Sequence, residues 1–131
     1  MTQEEKMTQM LTQLLETNET LLYPICGVFG KGKMSRSAYF GFTENHLLVV
    51  LPVDKQNAHA LRIPLEISAL RIKQNKIFRQ YVIDISFATG APCRITAYQK
   101  VLLLASQKEN LPKFLQYLQS RPIVKPAIDP Q

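Results

Sequence analysis

Lys31-Gly-Lys33-Met-Ser-Arg36 sets three basic side chains around one glycine. A flexible loop of this kind lets backbone amides and cationic heads converge on a single anion, the chemistry of phosphate capture. A second basic group follows at Arg71, Lys73, Lys76 and Arg79. If residues 70–73 are a strand, Arg71 and Lys73 alternate onto one face. The candidate ligand-binding set is therefore Lys31, Lys33, Arg36, Arg71 and Lys73. The competing reading is a solvated hairpin loop carrying ordinary surface charge.

Other spacings imitate chemistry without its supporting parts. Gly27-Val-Phe-Gly-Lys-Gly32-Lys33 satisfies G-x-x-x-x-G-K, and Val82-Ile83-Asp84 could supply a partner acid. A nucleotide P-loop then needs Ser or Thr for magnesium and a helix facing the phosphates. Position 34 is Met, and the residues from Arg36 onward alternate as a strand. His46 and His59 lie on different segments, and neither has a second ligand at metal spacing. Cys93 beside Arg94 is the one hint of an activated thiol, but a nucleophile also wants a nearby base. The carboxylates are scattered, so no acid–base pair can be assigned. These observations lead us to expect no catalytic residues, no metal ligands and no cofactor.

The chain has 131 residues, 46% of them apolar, which suits one domain able to bury a core without disulfide or metal. Sixteen Lys and Arg against ten Asp and Glu leave a net charge of +6. That favours anionic partners, as lipid headgroups or nucleic acid. Nucleic acid is disfavoured, because no cluster of stacking aromatics is interleaved with the basic residues. No apolar run exceeds the length of Leu47 to Leu51, which is too short to span a membrane, and the first residues lack a signal-peptide pattern. The expectation is a cytoplasmic protein, peripheral to the membrane at most. In that compartment Cys26 and Cys93 read as buried thiols rather than a disulfide.

The spacing predicts an amphipathic helix over residues 3–17, with Met7, Met10, Leu11, Leu14 and Leu15 on one stripe and Thr2 with Glu5 as a capping box. Asn18 is its expected stop. Strands follow at about 22–30 and 36–43, the latter with Ala38, Phe40 and Phe42 on one face and Tyr39 and Gly41 on the other. His46–Val53 is an apolar run suited to a strand covered on both faces. Asp54 to Asn57 reads as a hairpin loop. His59–Leu65 alternates with Leu61, Ile63 and Leu65 inward and Arg62 outward, and Pro64 marks a strand end or an edge. A bend separates Ile67 from a strand over 70–73, and Gln74-Asn75-Lys76 turns into a strand over 78–88. Thr89–Pro92 makes a hairpin into 93–98. A final helix has Asn110 as N-cap, Pro112 in its first turn, and Leu111, Phe114, Leu115 and Leu118 on one face. Seven strands on short loops suit an antiparallel barrel or sandwich. Division into an N-terminal helix (1–18), a β domain (19–120) and a proline-punctuated tail (121–131) follows.

Three stretches carry a family resemblance. Tyr39-Phe-Gly-Phe-Thr-Glu-Asn-His-Leu-Leu-Val-Val50 resembles the second and third strands of bacterial pleckstrin-homology-like and GRAM-type domains. Arg62-Ile-Pro-Leu-Glu-Ile-Ser-Ala-Leu70 and Gln107-Lys-Glu-Asn-Leu-Pro-Lys-Phe-Leu-Gln-Tyr-Leu118 resemble a later strand end and the final helix of that family. The resemblance covers about residues 20–120. It implies a mainly β, seven-stranded antiparallel barrel or sandwich capped by a C-terminal helix, here with an extra N-terminal amphipathic helix. It also implies a non-catalytic binding module for anionic headgroups or for protein partners, a second copy included. Lipid-binding members grip phosphates with spaced Lys and Arg in the loop after the first strand. Lys31 and Lys33 fit that pattern, and Arg36 stands one position beyond it. The tryptophan of the eukaryotic final helix is missing here, and Phe114 or Tyr117 takes its packing role.

Overall fold

A computed structural model describes residues 2–53, 57–101 and 104–124. The elements run α1 (Gln3–Thr12), β1 (Leu22–Phe29), β2 (Arg36–Phe42), β3 (His46–Pro52), β4 (Ala58–Pro64), β5 (Ile67–Asn75), β6 (Gln80–Phe87), β7 (Cys93–Tyr98) and α2 (Gln107–Ser120). Every pairing is antiparallel, in the order β4-β3-β2-β1-β7-β6-β5. The protein is therefore mainly β and its sheet seven-stranded, as the sequence predicts, but the sheet does not close. β4 and β5 are both edges.

The two-residue period of β2 and β3 builds two cores, one on each side of the sheet. Ala38, Phe40, Phe42, Leu47 and Val49 point inward to a core shared with Ile83, Ile85, Phe87, Ile95 and the α2 residues Leu111, Phe114, Leu115 and Leu118. Tyr39, Leu48 and Val50 point outward, under Met7 and Leu11 of α1. The expected strand faces, the double coverage of β3 and the capping α2 are all borne out.

Several boundaries move, each for a tertiary reason. α1 ends at Thr12 rather than residue 17, because the Leu14 carbonyl is taken by the Arg62 guanidinium at 2.9 Å and Asn18 adopts φ +71°. Its capping box between Thr2 and Glu5 is present as expected. Arg62 stands on the outer face but is half-buried rather than free. It forms two hydrogen bonds to Glu19, at 2.7 and 2.9 Å. Leu61, expected inward, lies on the inward alternation opposite Val49 and is still 39% exposed, because β4 has no strand beyond it to cover that position. The bend near residue 67 is a bulge between Ile67 and Ala69 within β5. The turn after β5 lies at residues 76–79, so Ile77 and Phe78 sit in a turn and β6 begins only at Gln80.

α2 starts at Gln107, three residues before the expected cap, which leaves Pro112 in its second turn. Asn110 does not cap; its amide donates to the Pro24 carbonyl at 2.9 Å. The helix entry is fixed by other groups. The Glu4 carboxylate accepts the Ser106 N–H. The fully buried Gln107 amide bonds the N–H and carbonyl of Cys26 at 3.0 and 2.9 Å, and the Tyr98 carbonyl at 3.0 Å. β1 pairs with β7 only through Val28 and Phe29, so Gln107 supplies the hydrogen bonds where those strands diverge. Gly27 is required at this crossing, since a Cβ would run into the Thr96 carbonyl. The expected loop at Asp54–Asn57 falls largely on residues 54–56, and most of the expected tail on residues 125–131, both outside the described residues.

A candidate anion-binding face

β5, β6 and β7 put their alternate side chains on the outside of the sheet in register. Arg71 of β5 stands opposite Asp84 of β6, and Asp84 stands opposite Arg94 of β7. The Arg94 guanidinium holds the Asp84 carboxylate in a two-pronged ion pair, Nε to Oδ1 at 2.8 Å and Nη2 to Oδ2 at 3.0 Å. The row continues into the next loop, because the Gly30 N–H donates to the Arg94 carbonyl at 2.9 Å. Gly30 makes that junction at φ +103°, a region glycine enters without strain. A single 3₁₀ turn at Gly32–Met34 follows and leads into β2.

Asp84 reports what surrounds it. Its carboxyl is held below the usual range, first by the hydrogen bonds from Arg94 and then by the positive charges of Arg94, Lys31 and Arg71. Lys31 and Arg71 come from the two basic segments: Arg71 faces Asp84 across β5 and β6, and Lys31 follows Gly30, whose N–H is bonded to Arg94, so both segments border the same part of the sheet. Lys73 is two residues along the same exposed face of β5. Lys33 lies in the 3₁₀ turn, exposed. Arg36 stands apart: it opens β2 opposite Phe29, on the alternation of Ala38 and Phe40, and is exposed at the rim of the sheet. The grouping thus takes in Lys31, Arg71 and Lys73, with Lys33 adjoining and Arg36 on another side.

Sequence reasoning missed Asp84 and Arg94 as members of this face. Their ten-residue separation across the Thr89–Pro92 hairpin was the available signal, since strands 80–87 and 93–98 paired through that hairpin bring them opposite each other. Arg94 therefore does not activate Cys93. Burial pushes the Cys93 thiol up to about 12, which keeps it protonated and unreactive. The Gly27–Lys33 stretch runs from the end of β1 into the 3₁₀ turn, and β2 follows at Arg36 where a P-loop requires a helix.

Lys31, Arg71 and Lys73 are all exposed. One concavity, of about 460 Å³, lies elsewhere, lined by Glu19, Thr43, Glu44, His46 and Tyr117 among others. Its rim carries carboxylates instead of the candidate cations. His46 Nδ1 lies 3.5 Å from Arg62. Among the described residues no three His, Cys, Asp or Glu side chains gather as a metal site. Among them, too, no helix is long and apolar enough to cross a membrane.

An antiparallel seven-stranded sheet with its inner face stoppered by a C-terminal helix defines the pleckstrin-homology-like fold. The match to solved structures agrees. The pleckstrin homology domain from Shewanella amazonensis SB2B superposes with a TM-score of 0.50 at 18% identity, covering 89% of this chain and 99% of that one. The DH/PH domains of PDZ-RhoGEF, solved in complex with GTP-gamma-S activated RhoA, give 0.52 at 11% identity over 85% of this chain. This chain spans 32% of that longer structure. No protein-family model and no curated protein matches the sequence. At such identities the likeness carries the fold and leaves the ligand to be argued from the residues.

Proposed function

We propose that the chain is a non-catalytic binding module that attaches to anionic headgroups at a membrane surface. Lys31, Arg71 and Lys73 carry the attraction, Arg94 sits among them, and Lys33 adds to it from the adjoining 3₁₀ turn, while Arg36, at the start of β2, lies outside the contact. The observation that supports this reading is the cross-strand row Arg71–Asp84–Arg94 with the Lys31 loop joined to its end through Gly30, which places exposed cations from both basic segments on one side of the sheet. Exposed cations along a strand face suit a charged surface better than a small molecule, which binds in concave, mostly apolar sites. Each basic residue close to an anionic membrane contributes about 1 kcal/mol, so several together give useful affinity.

Co-sedimentation with vesicles containing phosphatidylglycerol or cardiolipin tests the reading. Binding at low salt is expected to fall as ionic strength rises, and to weaken strongly when Lys31, Arg71 and Lys73 are all changed to Ala. Absence of binding at low salt would remove the proposal. A second reading, association with another protein or with a second copy, draws on β4, an edge strand whose Ala58, His59, Ala60 and Leu61 are all exposed. Light scattering that gives the mass of a single chain at high concentration would count against the self-pairing form.

A further inference from the structure

The basic face leads to an apolar tip. β5 carries Arg71 and Lys73 outward and ends at Asn75, whose side-chain oxygen accepts the N–H groups of Ile77 at 3.0 Å and Phe78 at 3.1 Å. This Asx-type turn, closed by Arg79 at φ +51°, fixes the two apolar side chains outward. Ile77 is 86% exposed and Phe78 66%. Two large apolar neighbours left this bare at a hairpin tip bury little in the fold, and a tip of that kind marks an interaction site.

The charges around the tip choose the partner. Between Glu66 and Asp84 the chain carries Arg71, Lys73, Lys76 and Arg79 and no acidic residue. Lys76 and Arg79 bracket the apolar pair directly, and both are exposed. Apolar side chains ringed by Lys and Arg suit the boundary of an anionic bilayer, where the rings and branches enter the acyl region and the cations stay at headgroup level.

We infer that Ile77 and Phe78 form a wedge that inserts into the interfacial layer of an anionic membrane, with Lys76 and Arg79 as its headgroup contacts. This rests on the membrane reading above and adds to it a point and a mode of entry. The orientation follows: the membrane lies across the β5–β6 tip, and Lys73 and Arg71 extend the contact up the sheet.

The chain contains no tryptophan, so Phe78→Trp creates a single reporter. With vesicles of mixed phosphatidylglycerol and phosphatidylcholine, its emission is expected to shift to the blue and to be quenched by lipids brominated on their acyl chains. Ile77→Ser with Phe78→Ser is expected to weaken vesicle binding about tenfold while leaving the unfolding midpoint unchanged, as lost burial of two apolar side chains requires. Sedimentation of the Phe78→Trp variant with the vesicles while its emission stays solvent-like would overturn the wedge and leave headgroup attraction standing. So would an undiminished affinity of the serine pair, or a blue shift found only in a Met34→Trp variant at the other basic loop. No sedimentation of the unaltered protein would remove both readings. Self-association abolished by the serine pair, without vesicle binding, would make the tip a protein contact and overturn the wedge.

Discussion

The outside of the sheet is treated in two ways. On the β2–β3 half, Tyr39, Leu48 and Val50 face outward and α1 lies over them, burying Met7 and Leu11 almost completely. On the β5–β7 half, the outward positions hold Arg71, Lys73, Asp84 and Arg94, and no helix of the described residues is packed there. Both halves come from one sheet with one alternation. Residue type at the outward positions decides whether an element covers them or solvent does. A ten-residue helix is too short to persist alone, so α1 depends on that apolar half as much as it shields it.

The largest test of this contrast is Leu11→Ala against Arg71→Ala. Leu11 is fully buried between α1 and the sheet. Its truncation should cost about 3 kcal/mol, the middle of the range for leucine in a core. Arg71 is exposed, and its loss should change stability by no more than about 0.5 kcal/mol. Urea unfolding of the two variants measures the difference. Equal costs would mean that α1 is as loosely held as a surface arginine.

Acid separates the halves next. The Arg62 hydrogen bonds hold the Glu19 carboxyl down to about 2, against an unfolded value of 4.5. Below 4.5 the unfolded chain binds a proton that folded Glu19 refuses. The stability from this pair is therefore complete above pH 4.5 and is lost as pH falls toward 2. In Glu19→Gln that part of the acid dependence should vanish. Asp84 is also lowered, by Arg94 on the bare half, so some acid sensitivity should remain. Unfolding midpoints of both proteins from about pH 7 to about pH 2.5 read this out. Coincident curves would show that the covering segment does not depend on Glu19.

How much of this contrast the sequence discloses depends on the range of the interactions involved. The strand faces of β2, β3, β6 and β7 and the apolar stripe of α2 follow from local periodicity, and the structure has them. Helix boundaries did not follow, because distant groups set them: Arg62 takes the Leu14 carbonyl at the end of α1, and Glu4 meets Ser106 at the start of α2. Gln107 reads as a surface residue in any local window. Its burial comes from the divergence of β1 and β7, which only the folded sheet creates. The basic face was half legible. Lys31, Arg71 and Lys73 stand out by composition, whereas Asp84 and Arg94 acquire their place through cross-strand register. The tip was half hidden: the sequence pattern places the turn at Gln74–Lys76 and starts the next strand at Phe78, whereas the Asn75 side chain holds a turn over 76–79 that carries both Ile77 and Phe78.

The finest test concerns the carboxylate on the bare half. Asp84 orients Arg94 but also cancels one positive charge where the cations gather. Asp84→Asn keeps a partner of similar shape, removes the charge, and frees the Arg94 guanidinium toward solvent. The ion pair is about one-third exposed on each side, so its loss should cost about 1 kcal/mol of stability or less. Attraction to an anionic surface should rise severalfold at low salt, since the face gains a full positive charge, and the gain should fade as salt screens it. A variant that binds vesicles less well would show that Asp84 serves by aiming Arg94 rather than by tempering the charge. That outcome would make the geometry of the pair, and not the summed charge of the face, the feature that selects a headgroup.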